Sequence, residues 1–301
     1  MSLSSDRHAP LAMPAAEFRL LGHQLVDQIA DGLAAIPQGP VTRPAAPSAI
    51  RASLGLDAAL PEHGTAAGPL LHDTTQALFA QSLFNGHPRF FGYVSGAPAP
   101  IGMLGDLLAA AVNPNVGAWV LSPVASEIEA QAVRWIAEFI GFGPACGGLL
   151  VSGGNMANIV GFLCARHAAR STTRLRVYAS TETHTWIQKA VDLTGLGADA
   201  VRWIPVDAQL RMDVAALGEA IDADTAAGDT PFLVVGTAGT VSTGAVDPLR
   251  DIAALCKARG LWFHVDGAYG GFAAALPDAS ADLLGLALAD SVAIDPHKWL
   301  Y

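Results

Sequence analysis

The side chains that could do chemistry in this 301-residue chain fall in a few short stretches, each beside an apolar run that reads as a strand. The last dozen residues, Asp290-Ser-Val-Ala-Ile-Asp-Pro-His-Lys-Trp-Leu-Tyr301, place Asp295, His297 and Lys298 just past a strand at 291–294. Open α/β sheets put their ligands at such strand ends. A lysine among apolar neighbours is disfavoured as an ammonium. Desolvation frees the neutral amine, the form that condenses with an aldehyde. Alone, a strand-end lysine more often simply points into water, so its companions decide the reading.

Four companions lie upstream. Val151-Ser-Gly-Gly-Asn-Met-Ala-Asn158 runs from a strand through two glycines into a helix N-terminus. Backbone N–H groups and the helix dipole favour a phosphate there, near Gly154 and Asn155. An ordinary tight turn is the alternative, and the spacing matches neither a dinucleotide fingerprint nor a Walker loop. In Thr181-Glu-Thr-His-Thr-Trp-Ile-Gln-Lys-Ala190, His184 could stack on an aromatic ligand or merely cap a helix. In Phe263-His-Val-Asp-Gly-Ala-Tyr-Gly270, Asp266 ends an apolar strand, a costly place for a carboxylate without a cation. That cation could be a protonated pyridine nitrogen, or an ordinary salt-bridge partner. His264 shares the face of Asp266 and could support it or fill the core. Thr237-Ala-Gly-Thr-Val-Ser-Thr-Gly-Ala245 offers Thr240 and other hydroxyls to a ligand, or to its own turn. A phosphate cup, a stacking histidine, a carboxylate and a lysine, in that order, fit one common cofactor, pyridoxal 5′-phosphate.

The elements that must position these groups follow from periodicity. Strands are predicted at 149–151, 175–180, 201–206, 232–237, 261–266 and 291–294. Helices are predicted at 155–170, 184–193, 213–225 and from Asp247 as N-cap to Gly260. Met156, Ile159, Val160, Leu163, Cys164 and His167 form the expected apolar face of the first of these. This alternation implies α/β architecture, a mostly parallel sheet with helices on both faces. Upstream, an amphipathic helix at 16–34 carries Phe18, Leu21, Leu25, Ile29 and Leu33, and Pro37–Pro47 reads as an extended linker. A run at 101–112 reads as helical. Ser122 and Pro123 open a helix to about Gly141, striped by Val124, Ile128, Ala132, Trp135, Ile136 and Phe139.

Composition narrows the setting. Half the residues are hydrophobic, 15% are charged, and the net charge is −10. No Lys/Arg run suggests a nucleic-acid or anionic-membrane partner, and no apolar stretch has the length of a membrane span. Cys146, Cys164 and Cys256 read as buried thiols in a reducing, cytoplasmic compartment. No secretory leader is expected from the first twenty residues, and no metal site is expected.

Together the motifs resemble the group II pyridoxal-phosphate-dependent amino-acid decarboxylases, among them the aromatic-amino-acid, glutamate and diaminobutyrate enzymes. The resemblance covers His87 to the last residue through His-Pro-x-Phe-Phe, Trp-x-x-Ser-Pro-x-x-x-Glu, Ser-Gly-Gly-x-x-Ala-Asn, Gly-Thr-x-x-Thr-Gly-Ala, His-Val-Asp-x-Ala-Tyr and Asp-Pro-His-Lys-Trp. It implies the large domain of type I pyridoxal-phosphate-dependent transferases over 81–301, preceded by a helical arm and linker over 1–80. It also implies that Lys298 links to the cofactor as a Schiff base, that Asp266 pairs with the pyridinium nitrogen and that His184 stacks on the ring. Gly154, Asn155 and His297 are implied near the phosphate, with Asp295 and Thr240 as further contacts. Tyr93, Ser95 and Trp119 are implied toward the substrate. A homodimer is implied, with the arm laid over its partner, and the activity implied is conversion of an L-amino acid to its amine and carbon dioxide. Two features depart from the pattern. Met156 stands where many members have Glu. The family also continues well past the lysine, so a small C-terminal domain is expected to be missing. A related lyase or aldehyde-forming enzyme, or a non-catalytic chain acting by dimerisation, are the alternatives.

Overall fold

The strands and helices alternate to build one parallel sheet. Its strands are Leu175–Ser180 (β1), Val201–Ile204 (β2), Thr230–Thr237 (β3), Trp262–Gly267 (β4) and Ser291–Ile294 (β5). They lie in the order β2-β1-β3-β4-β5, every pair parallel. This computed structural model describes residues 12–169 and 173–300. Its helices are Ala15–Ala35 (α1), Pro47–Leu54 (α2), Ala67–Gln81 (α3), Pro100–Val112 (α4), Pro123–Phe139 (α5), Gly154–Ala168 (α6), Trp186–Leu193 (α7), Val214–Ala226 (α8), Leu249–Arg259 (α9) and Ala281–Leu284 (α10). The chain packs as two units, Met1–Tyr93 and Val94–Tyr301.

In the second unit, alternate strand residues enter opposite cores. Tyr178, Val234 and Val265 join Leu217 and Ile252 of α8 and α9. Val177, Ala179, Leu233 and Val235 join Phe162 of α6 and Trp186 and Ile187 of α7. That two-residue alternation, apolar to both sides, explains why these strands read as unbroken hydrophobic runs.

The first unit is richer than a helix and a tether. The Pro37–Pro47 stretch holds a short 3₁₀ turn at Ile36–Gln38 and then an irregular run, and Pro47 is the first residue of α2. A proline read as linker composition is thus a helix-opening N1 residue. Helix α3 was also missed. It packs so close to α1 that a Cβ at Gly32 would lie 2.6 Å from the Phe79 ring.

Five readings in the second unit need correction. Residues 149–151 adopt no regular secondary structure and form no ladder. Leu150 N–H donates to Glu129 Oε1 of α5 (2.7 Å), and a cavity of about 590 Å³ lies between this segment and β5, lined by Val133, Leu149, Val151, Val160, Val292 and Ile294. Among the described residues no strand pairs with the outer edge of β5. The expected α5 stripe is largely exposed, with Val124, Ile128 and Trp135 at 64–73%. Of that stripe Ile136 does pack inward, and it is joined there by Ala137 and the following Ile140. Helix α6 buries Asn158, Gly161, Phe162 and Ala165 rather than the face with Met156 and Leu163. Cys164 on that outer face is therefore exposed and Cys146 half-buried, leaving Cys256 as the buried thiol. The predicted last residue of this helix, Arg170, lies outside the described residues.

Asp247 is not a helix cap. Pro248 is the N-cap of α9, while the Asp247 carboxylate accepts from Met212 N–H (2.7 Å) and Thr237 N–H (2.8 Å). It fastens the end of β3 to the loop before α8. Burial pushes its carboxyl up to about 6. Gly260 closes α9 at φ 66° as expected.

Candidate active site

The carboxyl ends of β3, β4 and β5 converge with the N-terminus of α6. Strand β5 is followed by Asp295 and a 3₁₀ turn, Pro296–Lys298, in which Lys298 N–H bonds back to the Asp295 carbonyl (3.3 Å). This turn brings Lys298 Nζ to 3.7 Å and His297 Nε2 to 3.3 Å from one oxygen, Asp295 Oδ2. The Lys298 side chain is 19% exposed and that of His297 59%. The amine thus has a carboxylate for a neighbour, where the sequence led us to expect an apolar wall.

The glycine turn abuts the same oxygen. A Cβ at Gly154 would lie 3.4 Å from Asp295 Oδ2 and 3.3 Å from Ala268 Cβ, just beyond β4. Gly153 sits at φ 130°, a conformation only glycine adopts freely, and its carbonyl accepts the first bond of α6, from Ala157 N–H. Asn155 lies exposed in the first turn. Three secondary elements therefore deliver Lys298, Asp295, Gly154 and Ala268 to one spot.

Asp266 ends β4 opposite Thr237 of β3 and Ala293 of β5. It is 6% exposed. Its Oδ1 accepts from Ala268 N–H (3.1 Å) and its Oδ2 from the Trp186 indole N–H (2.8 Å). Both donors are neutral, and among the described residues Asp266 forms no ion pair. Each oxygen keeps a lone pair for one further donor.

Beneath it, His264 is fully buried between two hydrogen bonds of 2.8 Å, from Nδ1 to Ser291 Oγ and from Nε2 to Asn158 Oδ1. Burial lowers its pKa to about 4 against the opposing pull of Asp266, so the ring is neutral near pH 7. The Asn158 amide N–H₂ donates to the Gly154 carbonyl (2.9 Å), which leaves its oxygen to accept. The network therefore puts the imidazole proton on Nε2 and makes Nδ1 the acceptor of the Ser291 hydroxyl. Ser291 in turn accepts from the Trp262 indole (2.9 Å). This one-directional chain ties β4 and β5 to the glycine turn. His264 supports the site and is itself no cation.

The other expected residues stand as follows. His184 is exposed at the end of β1, its Nδ1 accepting from Trp186 N–H (3.3 Å). Thr240 is buried and pairs with Thr243 (2.7 Å), which occupies it within its own loop. Ser95 has a buried hydroxyl without a partner among the described residues, beside Gly96, whose N–H donates to the His297 carbonyl (3.2 Å). Thr237 Oγ1, neighbour to Asp266, is likewise buried and unpartnered. Trp119 is 59% exposed and donates to Glu127 Oε1 (2.9 Å). Tyr93 is the last residue of the first unit, 87% exposed at φ 60°. Sequence reasoning passed over Trp186 and the individual role of Asn158. The available signal was Trp186 itself, a large aromatic two residues after His184 at a helix start.

Known proteins resemble this chain in sequence and in fold. The family model described as the pyridoxal-dependent decarboxylase conserved domain matches residues 47–301. An aromatic-L-amino-acid decarboxylase of Bacillus atrophaeus is 36% identical over 97% of this chain and 61% of its own length. Tryptophan decarboxylase 2 of Oryza sativa is 33% identical over 95% of the chain and 60% of its own length. A crystal structure of Oryza sativa TDC with PLP and tryptamine superposes with a TM-score of 0.88 at 31% identity, covering 97% of this chain and 63% of that one. Mouse CSAD gives 0.87 at 29%, covering 96% and 62%. The chain thus spans about three-fifths of the length of the relatives it matches.

Proposed function

Because the chain belongs to the pyridoxal-dependent decarboxylase family, we propose that it forms the cofactor-binding part of an enzyme converting an L-amino acid to its amine and carbon dioxide. The cofactor is pyridoxal 5′-phosphate. The residues present fit it. Asp266 carries the reading: a carboxylate 6% exposed, held only by neutral donors and, among the described residues, in no ion pair. Burying such a charge unpaired is costly, and a protonated ring nitrogen would supply the missing partner.

Once bound, the cofactor acts as an electron sink for the pair released when a bond to the substrate Cα breaks. The chain's own groups do the rest. Lys298 supplies the amine that links to the cofactor, and Asp295, 3.7 Å away, orients it. The N–H groups opening α6, at Gly154 and Asn155, hold the phosphate with His297 alongside. Asp266 would hold the ring nitrogen in its protonated form, and His184 would lie against the ring. Thr240 serves through its loop. Ser95 and Trp119 contribute toward the substrate. The names of the relatives support an aromatic amino acid as substrate.

A homodimer in the cytoplasm completes the proposal, with 81–301 as the cofactor domain and 1–80 as an arm over the partner. Its support is α4, which buries no residue and exposes Ile101 (76%), Leu104 (53%), Leu108 (65%) and Val112 (65%). An apolar face of this kind fits subunit pairing. Among the described residues, no helix is long and apolar enough to cross a membrane.

The test is reconstitution with pyridoxal 5′-phosphate. The wild type is expected to develop a visible absorption band and to release amine and carbon dioxide from an aromatic amino acid. Lys298→Ala is expected to lose the band. A mutant that keeps both band and turnover refutes the assignment, and an aldehyde product refutes simple decarboxylation.

A further inference from the structure

We propose that Trp186 is a positioning residue for Asp266, fixing the rotation of the carboxylate toward the cofactor's ring nitrogen without supplying a charge of its own. The inference rests on the cofactor reading above and adds a residue to it. Trp186 is fully buried at the first position of α7, and its indole N–H meets Asp266 Oδ2 at 2.8 Å. Its ring also stands edge-on to His264, with centroids 5.8 Å apart and planes at 82°. His264 is itself immobilised by Ser291 and Asn158. The indole is thus wedged on a fixed ring and cannot swing away from the carboxylate without opening the core.

The choice of donor matters. Lysine or arginine at this place would hold Asp266 equally well but would neutralise it, leaving little attraction for a second cation. An indole N–H is a donor that carries no charge and never becomes an acceptor. It orders the carboxylate while leaving its negative charge unneutralised, with a lone pair on each oxygen for a further donor. Trp186 follows His184, whose Nδ1 accepts the Trp186 backbone N–H (3.3 Å). One residue therefore registers two groups of the site, the acid through its side chain and the imidazole through its backbone.

The discriminating substitution replaces the indole N–H by sulfur, using 3-benzothienylalanine at position 186, which keeps shape and volume. Trp186→Phe is the encoded counterpart, and Phe162→Leu, in the same core cluster, is the packing control. Binding of pyridoxal 5′-phosphate is measured by equilibrium dialysis, and protonation of its ring nitrogen by NMR of ¹⁵N-labelled cofactor. Without the N–H, the dissociation constant is expected to rise about tenfold, equivalent to about 1.4 kcal/mol. The ring-nitrogen resonance is expected to move toward its unprotonated position. Phe162→Leu is expected to unfold more easily with both readouts unchanged. Wild-type affinity and resonance in the sulfur analogue would overturn the inference, as would equal shifts in Phe162→Leu. A wild-type protein that binds no cofactor would instead bring down the cofactor reading and this inference with it.

Discussion

Gly161→Ala should destabilise the protein although it improves a helix. Gly161 lies inside α6, where exchanging glycine for alanine ordinarily stabilises by roughly 1 kcal/mol. Here the added Cβ would stand 2.5 Å from His264 Cε1 and 2.6 Å from Nδ1. Ordinary carbon contacts begin near 3.5 Å, so either α6 lifts by about 1 Å or the imidazole turns. The imidazole is fully buried and clasped at both nitrogens. Turning it would break two hydrogen bonds at ~1 kcal/mol each and strand buried polar atoms. Lifting the helix instead incurs an overpacking cost of ~1–3 kcal/mol. Subtracting the propensity gain leaves a net loss of up to about 2 kcal/mol, or up to roughly 8 °C in Tm for a domain of this size. Gly218→Ala is the matched control: it lies within α8, with nothing inside 4 Å of the added Cβ. It should gain stability by the propensity term alone. Thermal and urea melts of both variants check the contrast, and a Gly161→Ala protein as stable as Gly218→Ala would refute the argument from His264.

Two further outcomes follow from burial. The folded Asp247 carboxyl is raised from 3.8 to about 6, so the native state holds a proton that the unfolded chain has already released. Its contribution is full below pH ~4 and is lost as pH rises to about 6, a swing of roughly 3 kcal/mol at 1.36 kcal/mol per unit. In Asp247→Asn that slope in urea stability between pH 4 and 6 should vanish, while the variant is weaker overall because an amide N–H₂ must face a backbone N–H. Alkylation followed by mass spectrometry should label exposed Cys164 first and half-buried Cys146 next. Cys256, its thiol pushed up to about 12 by burial, should react only on unfolding.

The sheet was legible because strands covered on both sides must be apolar at every position. Leu175–Ser180 and Ser291–Ile294 have the predicted bounds. The segment 149–151 misled because apolarity reports burial potential, whereas a strand also needs a backbone neighbour, and none lies alongside it among the described residues. The faces of α5 and α6 misled because periodicity registers several apolar stripes on an Ala- and Gly-rich helix. Only packing selects Asn158, Gly161 and Phe162 as the inward set. Around Asp266, motif spacing located the acid, the lysine and the glycine turn. It could not locate Trp186, 80 positions away from Asp266 in sequence, because a hydrogen bond between distant segments leaves no local pattern.

Among the described residues, the outer edge of β5 has no ladder partner. A rim of main-chain amides and carbonyls next to an oily trench accepts almost any extended segment, whatever its side chains. Two molecules approaching there could continue one another's ladder, a sticky encounter indifferent to the chemistry at the lysine. That edge is therefore the place where an added strand would extend the sheet.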